Sequence, residues 1–151
     1  MKKNIEIGGE LLAFRCSAAT RKLFSRAFKQ NIDEEIAKYA EFLPELRKAL
    51  EEINKEEPET PEQQFERVQK INNSPEVQKA NAFTVDFWPK FAYITYLEGN
   101  KEFHEINALA TEEHFLEWLL QYDESDFVSK AGEFMQLWVA NKNTTVTRKN
   151  P

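Results

Sequence analysis

Three phenylalanines spaced four apart, Phe83, Phe87 and Phe91, lie in the most apolar stretch of the chain, from Val77 to Leu97. That spacing lines their rings along one face of an α-helix. Trp88, Tyr93, Ile94 and Tyr96 fall on the flanking faces. A helix that is apolar nearly all round has to be central to a domain or lie at a subunit interface. Pro89 sits inside the run and predicts a kink near Val85 to Phe87. Gly99-Asn100 closes the segment.

The rest of the chain reads as helices that could surround such an element. With 151 residues there is room for one real core, and 41% hydrophobic against 30% charged residues is close to globular averages. Only four Gly and six Pro are present, too few for a turn-rich all-β domain. Ser17 is placed to cap a helix from Ala18 carrying Leu23, Phe24, Ala27 and Phe28. Asp33 caps a second, with Glu34 and Glu35 in its first turn. Ile36, Tyr39, Ala40 and Leu43 are its predicted buried stripe, and Pro44 is expected to end or kink it. Residues 54–64 are the most polar and read as a long loop. Thr60-Pro61 and Ser74-Pro75 each fit an N-cap followed by proline at the first helical position. Thr111 opens a helix with Phe115, Trp118, Leu119 and Tyr122 inward. Ser125-Asp126 opens the last, with Ala131, Phe134, Met135 and Trp138 inward.

The one β signal is at the start. Ile5 and Ile7 alternate with polar neighbours, and Gly8-Gly9 is a two-residue hairpin turn, since both positions can take positive φ. A hairpin over 4–15 is marginal alone and has to pack on something or gain a strand from another chain. The expected fold is therefore mainly α: a helical, bundle-like domain over 1–140 with a short N-terminal β-hairpin. Residues 141–151 form an aperiodic, flexible C-terminal tail.

Most chemistry is disfavoured by residue type and spacing. His104 and His114 lie ten apart, whereas helical zinc pairs need three or four. Cys16 is the only cysteine; it permits no intrachain disulfide and reads as a small buried hydrophobe. Nucleophile elbows and glycine-rich phosphate loops are missing from the sequence. The carboxylates from Glu51 to Glu59 read as solvated charge. The reading is non-catalytic, with no cofactor and no metal. A formal charge of −6 argues against tracking phosphates. The cluster Arg21, Lys22, Arg26 and Lys29 keeps a nucleic-acid-binding regulator of a mobile element as the alternative. No apolar stretch approaches the ~18 residues that suggest a membrane span, and Glu6, Gly8, Gly9 and Glu10 interrupt any signal-peptide core. A cytoplasmic protein is expected.

The order of these elements resembles the small tail assembly chaperones of long-tailed phages and prophages of Gram-positive bacteria. The likeness runs from the glycine-centred hairpin, Asn4 to Arg15, through the helix Ala18 to Lys29 and the acidic helix from Asp33. It continues with the aromatic helix around Phe87-Trp88. In the C-terminal third it rests on Phe115-Leu116-Glu117-Trp118-Leu119, Asp123, Leu137-Trp138 and the Thr-rich ending Asn143 to Lys149. The resemblance implies a protein that binds the tape measure protein, helps recruit tail tube subunits and is absent from the mature virion. An apolar helical client needs apolar and aromatic side chains to hold it, which makes Phe87, Trp88, Phe91, Phe134 and Trp138 the candidate partner-binding residues, although the same helical period reads most of the aromatic helix, and Trp88, Trp118 and Trp138, as core. The aromatic content also favours a homo-oligomer. The family further implies a longer frameshifted product. Arg148-Lys149-Asn150 can be encoded with an A-AAA-AAC heptamer in phase.

Overall fold

A computed structural model describes residues 1–55 and 59–148. Two strands, β1 (Lys2–Ile7) and β2 (Glu10–Arg15), are followed by α1 (Thr20–Phe28), α2 (Ile32–Ile53), α3 (Pro61–Asn72) and α4 (Pro75–Asn100). Then come α5 (Phe103–Leu109), α6 (Glu112–Leu119), α7 (Glu124–Val128) and α8 (Ala131–Arg148). The protein is mainly α with a short antiparallel N-terminal hairpin. Gly8 and Gly9 both sit at positive φ, 57° and 84°. This turn twists the strands into the register Ile7↔Glu10, Ile5↔Leu12 and Lys3↔Phe14. A further pair closes the ladder, as Met1 and Cys16 exchange bonds of 2.8 and 3.0 Å.

The chain divides into two compact units, one of Met1–Asp33 with Val85 onward and one of Glu34–Thr84. The division follows the supply of large side chains. Residues 34–84 contain four aromatics, Tyr39, Phe42, Phe65 and Phe83, against twelve glutamates. Their core is thin, built on Tyr39 stacked on Phe83 at 6.2 Å and Phe42 at 5.7 Å from the same ring. The inward row of α2 runs through Glu35, Tyr39 and Ala49, with Phe42 and Leu46 half-buried. Of the predicted stripe, Tyr39 is buried, Ile36 and Leu43 are half-buried like Phe42 and Leu46, and Ala40 is exposed. Pro44 does not end α2. One missing N–H is tolerated where contacts made by Phe42 before it and Ala49 after it hold both halves. Helix α3 begins as the sequence predicts, with a Thr60–Gln63 capping box and Pro61 at its first position, yet it buries no residue.

The larger unit is organised by the second half of α4. Phe87, Trp88, Phe91, Ala92, Tyr93, Ile94 and Leu97 are all buried, so every face of the helix is covered. Phe87 meets Phe24 of α1 at 5.7 Å, and Phe91 meets Phe134 and Trp138 of α8 at 5.9 and 6.2 Å. Tyr93 meets Phe115 and Trp118 of α6 at 5.6 and 5.2 Å. The hairpin joins this cluster through Phe14, whose ring lies edge-on to Phe134 at 5.2 Å. The hairpin's inward residues Ile5, Ile7 and Phe14 are fully buried, which supplies the packing that two strands alone lack. Helix α4 runs unbroken through Pro89.

Helix ends account for the remaining differences. Helix α1 starts at Thr20, not Ala18: Ser17 Oγ accepts from the Ala19 N–H at 3.1 Å and donates to Glu98, and residues 18–19 form a turn ahead of the helix. Helix α5, not foreseen, is set by a Glu102–Glu105 capping box. The last predicted helix is divided: α7 opens on an Asp123–Asp126 box, and α8 starts at Ala131. The predicted tail is helical from 141 to 148, and residues 149–151 lie outside the described residues. Neither Gly nor Pro interrupts the chain between Gly132 and Pro151, and extending an existing helix needs no new nucleus.

The glycines make a direct test. A Cβ on Gly99 would lie 2.7 Å from the Ala13 carbonyl oxygen, a backbone atom that cannot swing away. Gly99→Ala is expected to lower unfolding stability by about 1–3 kcal/mol in denaturant titrations. Gly132 has open space around it, so Gly132→Ala should leave stability unchanged or raise it by up to ~1 kcal/mol.

Candidate functional site

The five aromatics predicted to touch a partner do not form a surface. Phe87, Trp88, Phe91, Phe134 and Trp138 are each 3% exposed or less. The structure brings them together as α4–α8 core: Trp88 stacks on Phe134 at 6.3 Å and Phe91 meets both α8 rings. Residues that fill the centre of a folded unit cannot also contact another protein without unfolding it. The partner assignment for these five is therefore corrected.

At its C-terminus α4 carries three consecutive residues that hold the hairpin and α1. Glu98 accepts a hydrogen bond from Ser17 Oγ and one of 2.5 Å from Thr20 Oγ1. Gly99 lets the helix backbone touch β2, and Asn100 Nδ2 donates to the Ala13 carbonyl at 2.7 Å. Burial pushes the Glu98 carboxyl above its ordinary value, against the two hydroxyls, Arg15 and the N-terminal amine, which lower it. Cys16 is fully buried beside this group. Burial pushes its thiol up to about 11, with a Thr20 hydrogen bond opposing. A neutral thiol is neither a nucleophile nor a metal ligand. The cluster therefore acts as a clamp: its polar atoms are spent on each other.

Both histidines have local duties. His114 Nδ1 lies 2.7 Å from Thr111 Oγ1, and its backbone N–H is capped by the same hydroxyl. Glu102, His104 and Glu105 bring three possible ligand atoms within 4.8 Å. Glu102 and Glu105 already form the α5 capping box, and Glu102 and His104 are open to solvent. Of the basic cluster, Arg21 is bidentate on Asp33 at 2.7 and 3.3 Å and lies 4.6 Å from the Trp138 ring. Arg26 donates to Asn107, while Lys22 and Lys29 remain exposed.

What the larger unit does display is an acidic, apolar face on α6. Leu116 and Leu120, the latter the residue that caps the helix C-terminus, lie one turn apart and are 53% and 86% exposed. Glu112, Glu113 and Glu117 share the exposed side of that helix. From Glu102 to Asp126 the chain carries eight carboxylates and no lysine or arginine. Leu120 also lines a cleft of about 460 Å³ with Glu10, Tyr122, Asp123 and Asp126. A second cleft, of about 450 Å³, lies between Tyr93, Tyr96, Leu109, His114, Glu117 and Trp118. Tyr93 donates to the Leu109 carbonyl at 2.7 Å there, and burial pushes its phenol up to about 12. Sequence periodicity could have found the leucines by one signal: they fall on the row opposite Phe115 and Trp118. In the smaller unit, Phe65 on α3 is 67% exposed. A mainly apolar groove of about 300 Å³ lies between Ala49, Ile71 and Val77, with Lys48 and Lys70 at its rim.

No family model matches the chain, and neither a curated protein nor a solved structure matches it.

The clamp generates two expectations. Because the folded state raises the Glu98 carboxyl above 4.5, it binds a proton more tightly than the unfolded chain. Its contribution is therefore fully present below 4.5 and is lost as pH rises through the folded value. The stability of Glu98→Gln relative to the parent should rise from pH 4 to pH 7 in paired denaturant titrations; a flat difference would contradict the assignment. Cys16 should resist a thiol reagent at pH 8 in the native protein and react fully in denaturant.

Proposed function

We propose that this protein is a non-catalytic holding protein, a tail assembly chaperone that binds the tape measure protein and helps recruit tail tube subunits. The observation that carries the reading is the placing of apolar side chains on the outside of helices. Leu116 on α6 and Leu120 at its C-cap stand in solvent, as does Phe65 on a helix that buries nothing. Apolar side chains that adjoin one another on a surface form a patch that can receive another apolar surface. Spacing of four along a helix suits a helical client, which offers its own apolar stripe at the same period. The surrounding carboxylates keep such a carrier soluble between engagements. The sequence resemblance adds the identity of the client and the cytoplasm of the host cell as the place of action.

The nucleic-acid alternative draws on α1, but Arg21 and Arg26 are engaged with Asp33 and Asn107. No helix among the described residues is long and apolar enough to cross a membrane.

Co-expression tests the proposal. The product of the very long reading frame expected just downstream should be insoluble when made alone and recovered in soluble form when made with this chain. Failure to keep it soluble at equal expression would reject the chaperone role.

A further inference from the structure

We infer that the exposed face of α6, centred on Leu116 and Leu120, is the docking site for a cationic amphipathic helix of a partner protein. This deepens the holding role above, on which it rests, by naming the face and the charge class of the helix held.

Geometry supplies the apolar half. Phe115 and Trp118 point into the core, so the opposite side of α6 is left outward, and both leucines stand there one turn apart. Two leucines at this spacing present a short ridge that the groove of a second helix can straddle. Charge supplies the other half. Glu112, Glu113 and Glu117 flank the ridge, and Glu10, Asp123 and Asp126 line the cleft beside Leu120. Lysines or arginines flanking a client's apolar stripe would meet carboxylates on either side of the leucines. An acidic client helix, a nucleic acid or an anionic lipid surface would be repelled by the same eight carboxylates between Glu102 and Asp126.

A second copy of this chain is a poor occupant. Its basic helix is α1, with Arg21, Lys22 and Arg26, but the apolar side of α1 is buried, Phe24 wholly and Phe28 nearly so. A helix that has already spent its apolar stripe has none to offer. Helix α3 keeps Phe65 exposed, but Glu62 and Glu66 balance its Arg67 and Lys70, so it is not cationic; the occupant is another protein, whose cationic amphipathic segment is not yet packed.

The test uses the full chain and two synthetic helical peptides of identical leucine pattern, one with lysine at its polar positions and one with glutamate. By fluorescence anisotropy the lysine peptide should bind and weaken as salt rises, and the glutamate peptide should not bind. Leu116→Ser with Leu120→Ser should weaken lysine-peptide binding at least tenfold. Both sites are exposed, and an unchanged unfolding midpoint would confirm that the fold is kept. Glu113→Gln with Glu117→Gln should weaken it and flatten the salt dependence. Equal binding of both peptides, no binding of either, or binding unaffected by the leucine changes would overturn the site. So would a parent dimer in sedimentation that the leucine changes dissolve, since a second copy would then cover the face. Co-expression separates this inference from the holding role. A client kept soluble equally by the parent and by the leucine variant rejects the α6 site and leaves the role standing. A client kept soluble by neither rejects the role, while the peptide result still decides the site.

Discussion

The larger unit depends on burying the second half of α4 on every side. Large rings on all faces of one helix cannot be covered by a single neighbour, so α1, α6, α8 and the hairpin each supply a wall. The ring contacts show how the covering is shared: Phe24 from α1, Phe115 and Trp118 from α6, and Phe134 and Trp138 from α8. Each fully buried ring or branched chain contributes about 1.5–3 kcal/mol relative to exposure. The sum offsets the entropy of ordering short elements such as α5 and α7, which would not persist alone. The clamp at Glu98, Gly99 and Asn100 finishes the same task at the helix end, where the backbone of α4 meets that of β2. Only a residue without a side chain permits that approach.

With the rings consumed by the interior, function is left to the surface, and there the charge is unevenly laid out. Lysine and arginine concentrate before Gln30, while the stretch from Glu102 to Asp126 has carboxylates alone. This acidic stretch also holds the most exposed leucine of the chain, Leu120. Carboxylates and exposed leucines therefore share this stretch. Their coincidence gives the α6 face both an attraction for apolar helices and a preference among them. Helix α3 follows the same pattern more simply: Phe65 is exposed and no residue of the helix is buried, although its ends are well capped.

Much of the fold was legible because it rests on local rules. The Gly8-Gly9 turn, the Thr60-Pro61 start and the Thr111 cap were each readable from a few adjacent residues, since a turn or cap is satisfied by its own neighbours. The central place of α4 was readable because apolarity on all faces has few solutions. Less legible were the points where a distant partner competes. Ser17 does accept from the Ala19 N–H, as a cap would, but it and Thr20 also donate to Glu98 across the fold, and the regular helix begins only at Thr20. In α2, the predicted Tyr39 is buried on Phe83, but Phe42 on the same ring and the buried Glu35 lie outside the predicted stripe, and Ala40 within it is exposed. The five aromatics offered as partner contacts failed for a related reason. Period and residue type mark a side chain as apolar, but they do not say whether the domain's own helices or another protein will cover it.

The sequence by itself therefore determined the secondary-structure class, the hairpin and the need for a buried aromatic helix, all consequences of short-range sterics and hydrophobic period. Tertiary structure alone decided which apolar residues are left over. Leu116 and Leu120 are no more apolar than Leu97 or Leu137; they differ because α6 turns Phe115 and Trp118 inward and has only one side to give. Exposure is a property of the assembled neighbours, and no residue carries it alone.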